Sequence, residues 1–338
     1  MYTLSRCQGR EAKITRIKSA TGGTPLQIAI IGAGSIGTAW AIVFATAGHA
    51  VRIHDIEASR RVDSRDELNR RLADLAEAGL LSENIERIAE RVSYYDSLDA
   101  VIAGASYVQE CIIEDREAKR QLFTALAPLL GAETIVASSS SFITTSRMAA
   151  DCAFRNRCLV VHPGNPPYLL RVVEVVPAPF TDAVVIEFTT DLMTAMAMNP
   201  VLVRRELEGF VFNRLQGALL REAYALVHDG AASVEDIDRL VRDGLGLRWS
   251  VVGPFEAADL NTRGGIAAHA QRMLPSYRRM GAERGETEPA WAPETVEIVI
   301  AERRKALPLE NWADRAAWRD HELMALLAHR AKRNDGAT

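Results

Sequence analysis

The sequence is short of the features that most non-enzymatic classes require. No uninterrupted apolar stretch reaches the roughly 20 residues of a membrane-spanning helix, because every candidate run is punctuated by charge or glycine. Lysine and arginine number 40 against 44 aspartates and glutamates, a formal charge of −4, so no strongly basic field exists to hold nucleic acid. The four cysteines, Cys7, Cys111, Cys152 and Cys158, show no CxxC spacing. No metal site is expected, and reduced thiols in the cytoplasm are the default. Cys111 lies inside the apolar run YVQECII, where a small buried hydrophobe is the plainer reading than a nucleophile. No charged-then-apolar leader opens the chain, and no internal repeat or low-complexity tract is apparent. What is present, 338 residues with 48% hydrophobic content, suits a globular protein of about two domains.

Two stretches carry chemistry. Residues 26–57 read LQIAIIGAGSIGTAWAIVFATAGHAVRIHDIE: an apolar strand, a glycine turn, a helix-length apolar stretch and a second strand ending in Asp55. This is a dinucleotide-binding fingerprint in context. Gly32 permits the tight turn, Gly34 lets the backbone approach a pyrophosphate, and Gly37 allows close helix–sheet packing, so the turn Gly32-Ala33-Gly34-Ser35-Ile36-Gly37 faces the phosphates. Asp55 stands 23 positions after Gly32, near the spacing of roughly 20 expected of a carboxylate on the ribose 2′-hydroxyl, which favours NAD over NADP. Arg60 and Arg61 read as solvated helix charges, since Asp55 would repel a 2′-phosphate.

The second stretch, Ala137 to Val176, places ASSSS, then His162-Pro-Gly-Asn165-Pro-Pro, then Glu174 between apolar runs. The run LVVH is cut off by His-Pro, so His162 belongs at the end of a buried strand. A turn within the next twelve positions can return Glu174 beside it, and a carboxylate on one ring nitrogen makes the other a better base. The bland alternative is a histidine ending a strand and a glutamate paired with an arginine.

From Leu26 to about Arg204 strand-like and helix-like runs alternate, the mark of a doubly wound parallel sheet. Candidate strands are 27–31, 50–54, 92–94, 106–112, 134–138, 158–162, 172–176 and 201–204, with a helical insertion over 58–90 whose Leu68, Leu72, Leu75 and Ala76 share a face. Beyond Glu206 the pattern is helical: Leu207, Val211, Leu215, Ala218, Leu219 and Leu226 repeat at three or four, and Ser233-Val-Glu-Asp236 signals another helix start. The fold class is therefore α/β, a Rossmann-type doubly wound sheet followed by an all-helical domain. The expected division is a loosely ordered extension over 1–24, an NAD-binding domain over 25–205, a helical domain over 206–330 and a tail over 331–338.

The phrases GAGSIG, VQECIIED, HPGNPPYLLRVVEVVP, GFVFNRLQGALLREAYALV and GLGLRWSVVGPFEAADLN, in this order and across almost the whole chain, resemble the 3-hydroxyacyl-CoA dehydrogenase superfamily, and within it the λ-crystallin / L-gulonate 3-dehydrogenase branch. The resemblance implies a general base at His162, its paired acid at Glu174, and a serine at Ser141 that bonds the substrate oxygen and nicotinamide region. It implies that Asn213 completes the site, that Glu114, Lys119 and Asn165 contact NAD, and that the helical domain supplies a homodimer interface. For Ser141 a helix cap stays open as an alternative, and for Asn213 a structural hydrogen bond in a helix interior.

Relatives so resembled divide between acyl-CoA thioesters and small free hydroxy acids, and the second class needs a cation for the carboxylate. Arg248, beside Trp249, is the preferred candidate, with a salt bridge to a neighbouring helix as the alternative. Arg171 stands where proline is common in relatives, and reads either as a charge near the mouth or as a surface change. The expected activity is NAD-dependent oxidation of the 3-hydroxyl of an L-gulonate-type acid. The alternatives are a 3-hydroxyacyl-CoA dehydrogenase, a carnitine-type 3-dehydrogenase and a non-catalytic crystallin-like protein.

Overall fold

A computed structural model describes residues 25–250, 253–260, 265–285 and scattered positions between 305 and 329. Eight short apolar runs form one sheet: β1 (Gln27–Ile31), β2 (Ala50–His54), β3 (Val92–Tyr95), β4 (Tyr107–Glu110), β5 (Ile135–Ser138), β6 (Cys158–Pro163), β7 (Val172–Pro177) and β8 (Asn199–Leu202). Their order is β3-β2-β1-β4-β5-β6-β7-β8. The first six run parallel with their neighbours, whereas β7 is antiparallel to β6 and β8 is parallel to β7. The wholly parallel sheet expected from the alternating pattern is corrected at this one seam. Only eight residues separate β6 from β7, too few for the dozen or more that a parallel crossover needs.

Alternation along β1 shows how both faces are closed. Ile28 and Ile30 enter one core with Trp40, Phe44, Leu72, Leu192 and Met193, while Ala29 and Ile31 enter a second with Val101, Phe123, Leu126 and Phe154. The first face is covered by α1 (Ser35–Thr46), α2 (Ala58–Glu77), α3 (Ile85–Glu90) and α7 (Ala183–Ala195), the second by α4 (Leu98–Ile102), α5 (Arg116–Leu126) and α6 (Thr145–Ala149). The helical insertion expected over 58–90 consists of two helices, α2 and α3. Leu68, Leu72 and Leu75 are buried as expected, Ala76 is exposed, and an unexpected member of the inward stripe is Arg71. The strand expected at 201–204 lies two residues earlier.

The chain divides into two compact units between Asn213 and Arg214, with residues beyond Ala316 rejoining the first; the sequence reading puts this boundary at 205/206. The described residues of the second unit are helical: most of α8 (Phe212–His228), α9 (Val234–Leu240), a π-helical turn over Val241–Gly246 leading to Leu247–Trp249, α10 (Pro254–Leu260) and α11 (Gly265–Arg284). Ser233 caps α9 as its motif predicts, its hydroxyl accepting the Asp236 amide at 3.2 Å. Helix α8 begins at Phe212, not near 207, because Gly209 (φ +74°) and Phe210 (φ +48°) both lie in the left-handed region and break the helical path. Asn213 is consequently in a first helical turn, not a helix interior. Residues 1–24 and 331–338 lie outside the described residues.

Candidate active site

The antiparallel seam sets the centre of the site. In the β6/β7 ladder His162 is the direct cross-strand partner of Glu174, so a separation of twelve residues becomes side-by-side contact. Nδ1 of His162 lies 2.7 Å from Glu174 Oε2, and both side chains are buried. The other carboxylate oxygen, Oε1, accepts the Val211 and Phe212 amides at 2.7 and 2.9 Å. Burial works to raise the Glu174 pKa, but the hydrogen bonds from His162, Phe212 and Val211 together outweigh it and hold the carboxyl below its ordinary value. An ionised Glu174 places the proton of a neutral imidazole on Nδ1, leaving Nε2 as a proton acceptor. Phe210, fully buried with its ring 5.6 Å from the imidazole, and Phe212, at 6.3 Å, wall this pair. The left-handed Phe210, a conformation that costs on the order of 1–3 kcal/mol, sits immediately before the two amides that Glu174 receives.

A second buried pair shapes the serine loop. Glu110, the last residue of β4, accepts Lys119 Nζ at 2.7 Å and the Ile112 amide at 2.8 Å on Oε1, and the Ser138 hydroxyl at 2.5 Å on Oε2. Lys119, 1% exposed, also meets the Ile112 carbonyl and lies 3.6 Å from Glu114. Glu114 Oε1 in turn accepts the Ser140 hydroxyl and the amides of Ser141, Phe142 and Ile143. Burial opposes ionisation of Glu114, yet the Ser140 and Phe142 hydrogen bonds, the Lys119 charge and the Ile143 amide prevail and lower its pKa. The loop is thereby fixed from below. Ser141 is not a helix cap, since the residue preceding α6 is Thr144 and the Ile143 amide is taken by Ser140 Oγ. Among the described residues the Ser141 hydroxyl has no hydrogen-bond partner, and its carbonyl accepts Asn213 Nδ2 at 3.0 Å. One bonded path thus runs from His162 to Glu174, to the Phe212 amide, to neighbouring Asn213 and to Ser141.

The glycine turn lies where strand order reverses between β1 and β4, the position at which open α/β sheets bind ligands. Gly32 has φ +104°, and a Cβ there would come 2.5 Å from the Cys111 carbonyl oxygen; one on Gly37 would come 1.9 Å from the Gly32 oxygen. Gly34 differs, since its Cβ would meet nothing within 4 Å. It precedes α1 with no side-chain cap and no acidic residue in the first turn, so open space adjoins amides that need acceptors, as a pyrophosphate requires. Asp55 accepts the Ala33 amide at 2.8 Å and the Glu57 amide at 3.0 Å, fastening the turn to the end of β2. Arg60 pairs with Glu57 and Arg61 donates to the Asp55 carbonyl. Beneath the turn Arg71 donates to Ser35 O and Oγ at 3.1 and 2.9 Å and lies over the Tyr168 ring.

Comparison with known proteins gives one family for both parts of the chain. The NAD binding domain of 3-hydroxyacyl-CoA dehydrogenase matches residues 27–207, and the C-terminal domain of the same enzyme matches residues 209–304. The chain belongs to the 3-hydroxyacyl-CoA dehydrogenase family. It is 37% identical to the lambda-crystallin homolog of Bos taurus over 91% of its own length and 95% of the relative's. It is 32% identical to the L-carnitine dehydrogenase of Streptomyces coelicolor over 89% and 93%. Among solved structures, 5-formyl-3-hydroxy-2-methylpyridine 4-carboxylic acid 5-dehydrogenase, an NAD+-dependent dismutase, superposes with a TM-score of 0.69 at 26% identity, covering 86% of this chain and 99% of that one. The protein is an NAD-dependent oxidoreductase of this family.

For the dehydrogenase, the structure brings His162, Glu174, Ser141 and Asn213 together and places the glycine turn, Asp55 and Glu114 at the carboxyl ends of the strands. Lys119 is sealed below the surface and reaches the site through Glu110 and Glu114. Asn165 is exposed just past β6, and Arg248 is exposed in the second unit. Glu110, Ser138 and Arg71 escape the sequence reading. The available signal is a charge inside an apolar period: Glu110 within YVQECII, and Arg71 on the Leu68-Leu72-Leu75 face.

Proposed function

We propose that the enzyme oxidises the 3-hydroxyl of a small free hydroxy acid of the L-gulonate type to the 3-keto acid, with NAD+ reduced to NADH. The observation that carries the reaction is the His162–Glu174 pair, bonded through β7 and the start of α8 to Asn213 and Ser141. The turn Gly32–Gly37, with Ala33, Ser35 and Ile36, would hold the pyrophosphate, Asp55 would take the adenosine ribose, and Glu114 and Asn165 would border the cofactor. When bound, the nicotinamide accepts the hydride from the carbinol carbon. His162 Nε2 takes the proton from the hydroxyl oxygen, and Glu174 stabilises the imidazolium that forms. The Ser141 hydroxyl and the second N–H of the Asn213 amide hold the reacting oxygen, so that one face of the carbon meets the cofactor.

Support for a free acid comes from the L-carnitine dehydrogenase of Streptomyces coelicolor, which spans the chain and whose named substrate is a free 3-hydroxy acid. The Leu-Arg-Trp phrase at 247–249 points the same way. A screen of NAD+ reduction across L-gulonate, L-carnitine, 3-hydroxybutyrate and 3-hydroxybutyryl-CoA tests the reading; activity confined to the thioester would overturn it. His162→Ala should keep NADH binding, read by fluorescence, and lower kcat by roughly 10²–10⁴-fold. A wild type inactive across the panel favours the non-catalytic, crystallin-like alternative instead. The assembly is a homodimer through the helical unit, where α8 buries only Ala225 and leaves Leu215, Leu219 and Leu220 exposed.

A further inference from the structure

Side chains alternate along β6, so His162 and Val161 face opposite sides of the sheet. On the Val161 side lies a cavity of about 260 Å³ between the end of α1, the end of α2 and the chain after it, the β6–β7 connection and the end of α7. Its apolar wall includes Ile42, Leu75, Leu80 and Met196, and its polar groups include Thr46 and Arg171. One of these stands alone. Arg171 is half-buried, burial pushes its guanidinium below the ordinary value, and that guanidinium has no hydrogen-bond or ion-pair partner among the described residues. No aspartate or glutamate lines the cavity.

A partly desolvated cation without a counter-charge on an apolar wall is costly. One ligand class removes that cost and uses the wall as well. We propose that this cavity binds a small aliphatic monocarboxylate, its carboxylate taken by Arg171 and its chain lying along Ile42, Leu75, Leu80 and Met196. A guanidinium fork matches a carboxylate with two parallel hydrogen bonds, and the apolar remainder of the wall gives a bare inorganic anion nothing to gain. The volume, just under the roughly 300–1,000 Å³ of drug-sized pockets, fits a chain of a few carbons. Because the cavity faces away from His162, this site is separate from the one that turns over substrate, and the idea that Arg171 adjusts substrate choice at the mouth is set aside.

The test is calorimetric titration of the full chain with sodium hexanoate, with n-hexanol and inorganic phosphate as probes lacking one half of the ligand each. Wild type should bind one equivalent of hexanoate saturably, and both control probes about tenfold more weakly or worse, as expected for a charge-assisted hydrogen bond near 1.4 kcal/mol or more. Arg171→Leu should weaken hexanoate by at least about tenfold for the same reason. Ala195→Trp, at an exposed residue on the cavity rim, fills the space without touching the core and should do the same if Arg171→Leu fails to fold. Absence of saturable binding, hexanoate affinity unchanged in the folded variants, or phosphate binding as well as hexanoate would each overturn the proposal.

Discussion

Glu174 illustrates how much one residue can decide. Its two oxygens divide their work: Oε2 orients the imidazole, and Oε1 collects the two amides that start α8. Glu174→Gln keeps the shape, loses the anion and removes the preference for a proton on Nδ1, so kcat should fall by roughly 10²–10⁴-fold, with NADH affinity unchanged. The stability consequence has a definite sign. The folded-state pKa is depressed, so the ionised carboxylate contributes stability that is present above the unfolded value of about 4.3 and is lost as pH falls through the lower folded value. Melting temperatures of wild type and Glu174→Gln should therefore differ most near neutral pH and converge in the acid range below about 4. A constant difference across that range would mean that the carboxylate charge is not what stabilises the pair.

Among elements, the junction of β4, α5 and the serine loop depends on a buried ion pair that apolar patterning cannot announce. Lys119 and Glu110 are almost wholly buried and 2.7 Å apart, and removal of one partner from such a pair costs about 3–5 kcal/mol by stranding the other charge. Lys119→Met should destabilise the protein by about that much in urea unfolding. Glu110→Gln on the same background should recover part of the loss, whereas strictly additive losses would show that the two do not couple. The elements themselves were legible where the signal is local. The glycine turn, the strand ends at Asp55 and His162 and the Ser233 cap all follow from neighbours a few residues apart. The His162–Glu174 contact was also within reach, because a short β6–β7 connection leaves few ways to return the chain. Glu110 with Lys119, and Arg71 with Ser35, were not legible as contacts, since each requires a helix to fold back over a strand end or turn. The late start of α8 was hidden for another reason. Gly209 permits a left-handed turn, but nothing in the sequence marks Phe210 as sharing it, and the reward for that strain is tertiary: the Phe210 ring packs on His162.

For the whole molecule, the two units differ in how they satisfy their apolar surface. The sheet unit closes both faces with helices, and its inward positions are nearly all buried. Among the described residues of the helical unit apolar side chains stay open: Leu215 is 64% exposed, Leu240 68%, Leu247 65% and Phe255 82%. A net charge of only −4 over 338 residues gives weak self-repulsion to oppose association. Burial of such side chains is worth about 1.5–3 kcal/mol each, so a few of them in a shared interface suffice to offset the entropy of pairing two chains. Leu215 and Leu219 lie one turn apart on α8, and paired glutamates there would place four carboxylates in a two-fold interface. Light scattering should give a dimer for the wild type and a monomer for Leu215→Glu/Leu219→Glu, with circular dichroism unchanged. A wild-type monomer, or a variant that stays dimeric, would remove α8 from the interface. Because Asn213 sits in the first turn of the same helix, only two residues before Leu215, a monomeric variant should also lose kcat while its NADH affinity, set by the sheet unit, stays within about twofold.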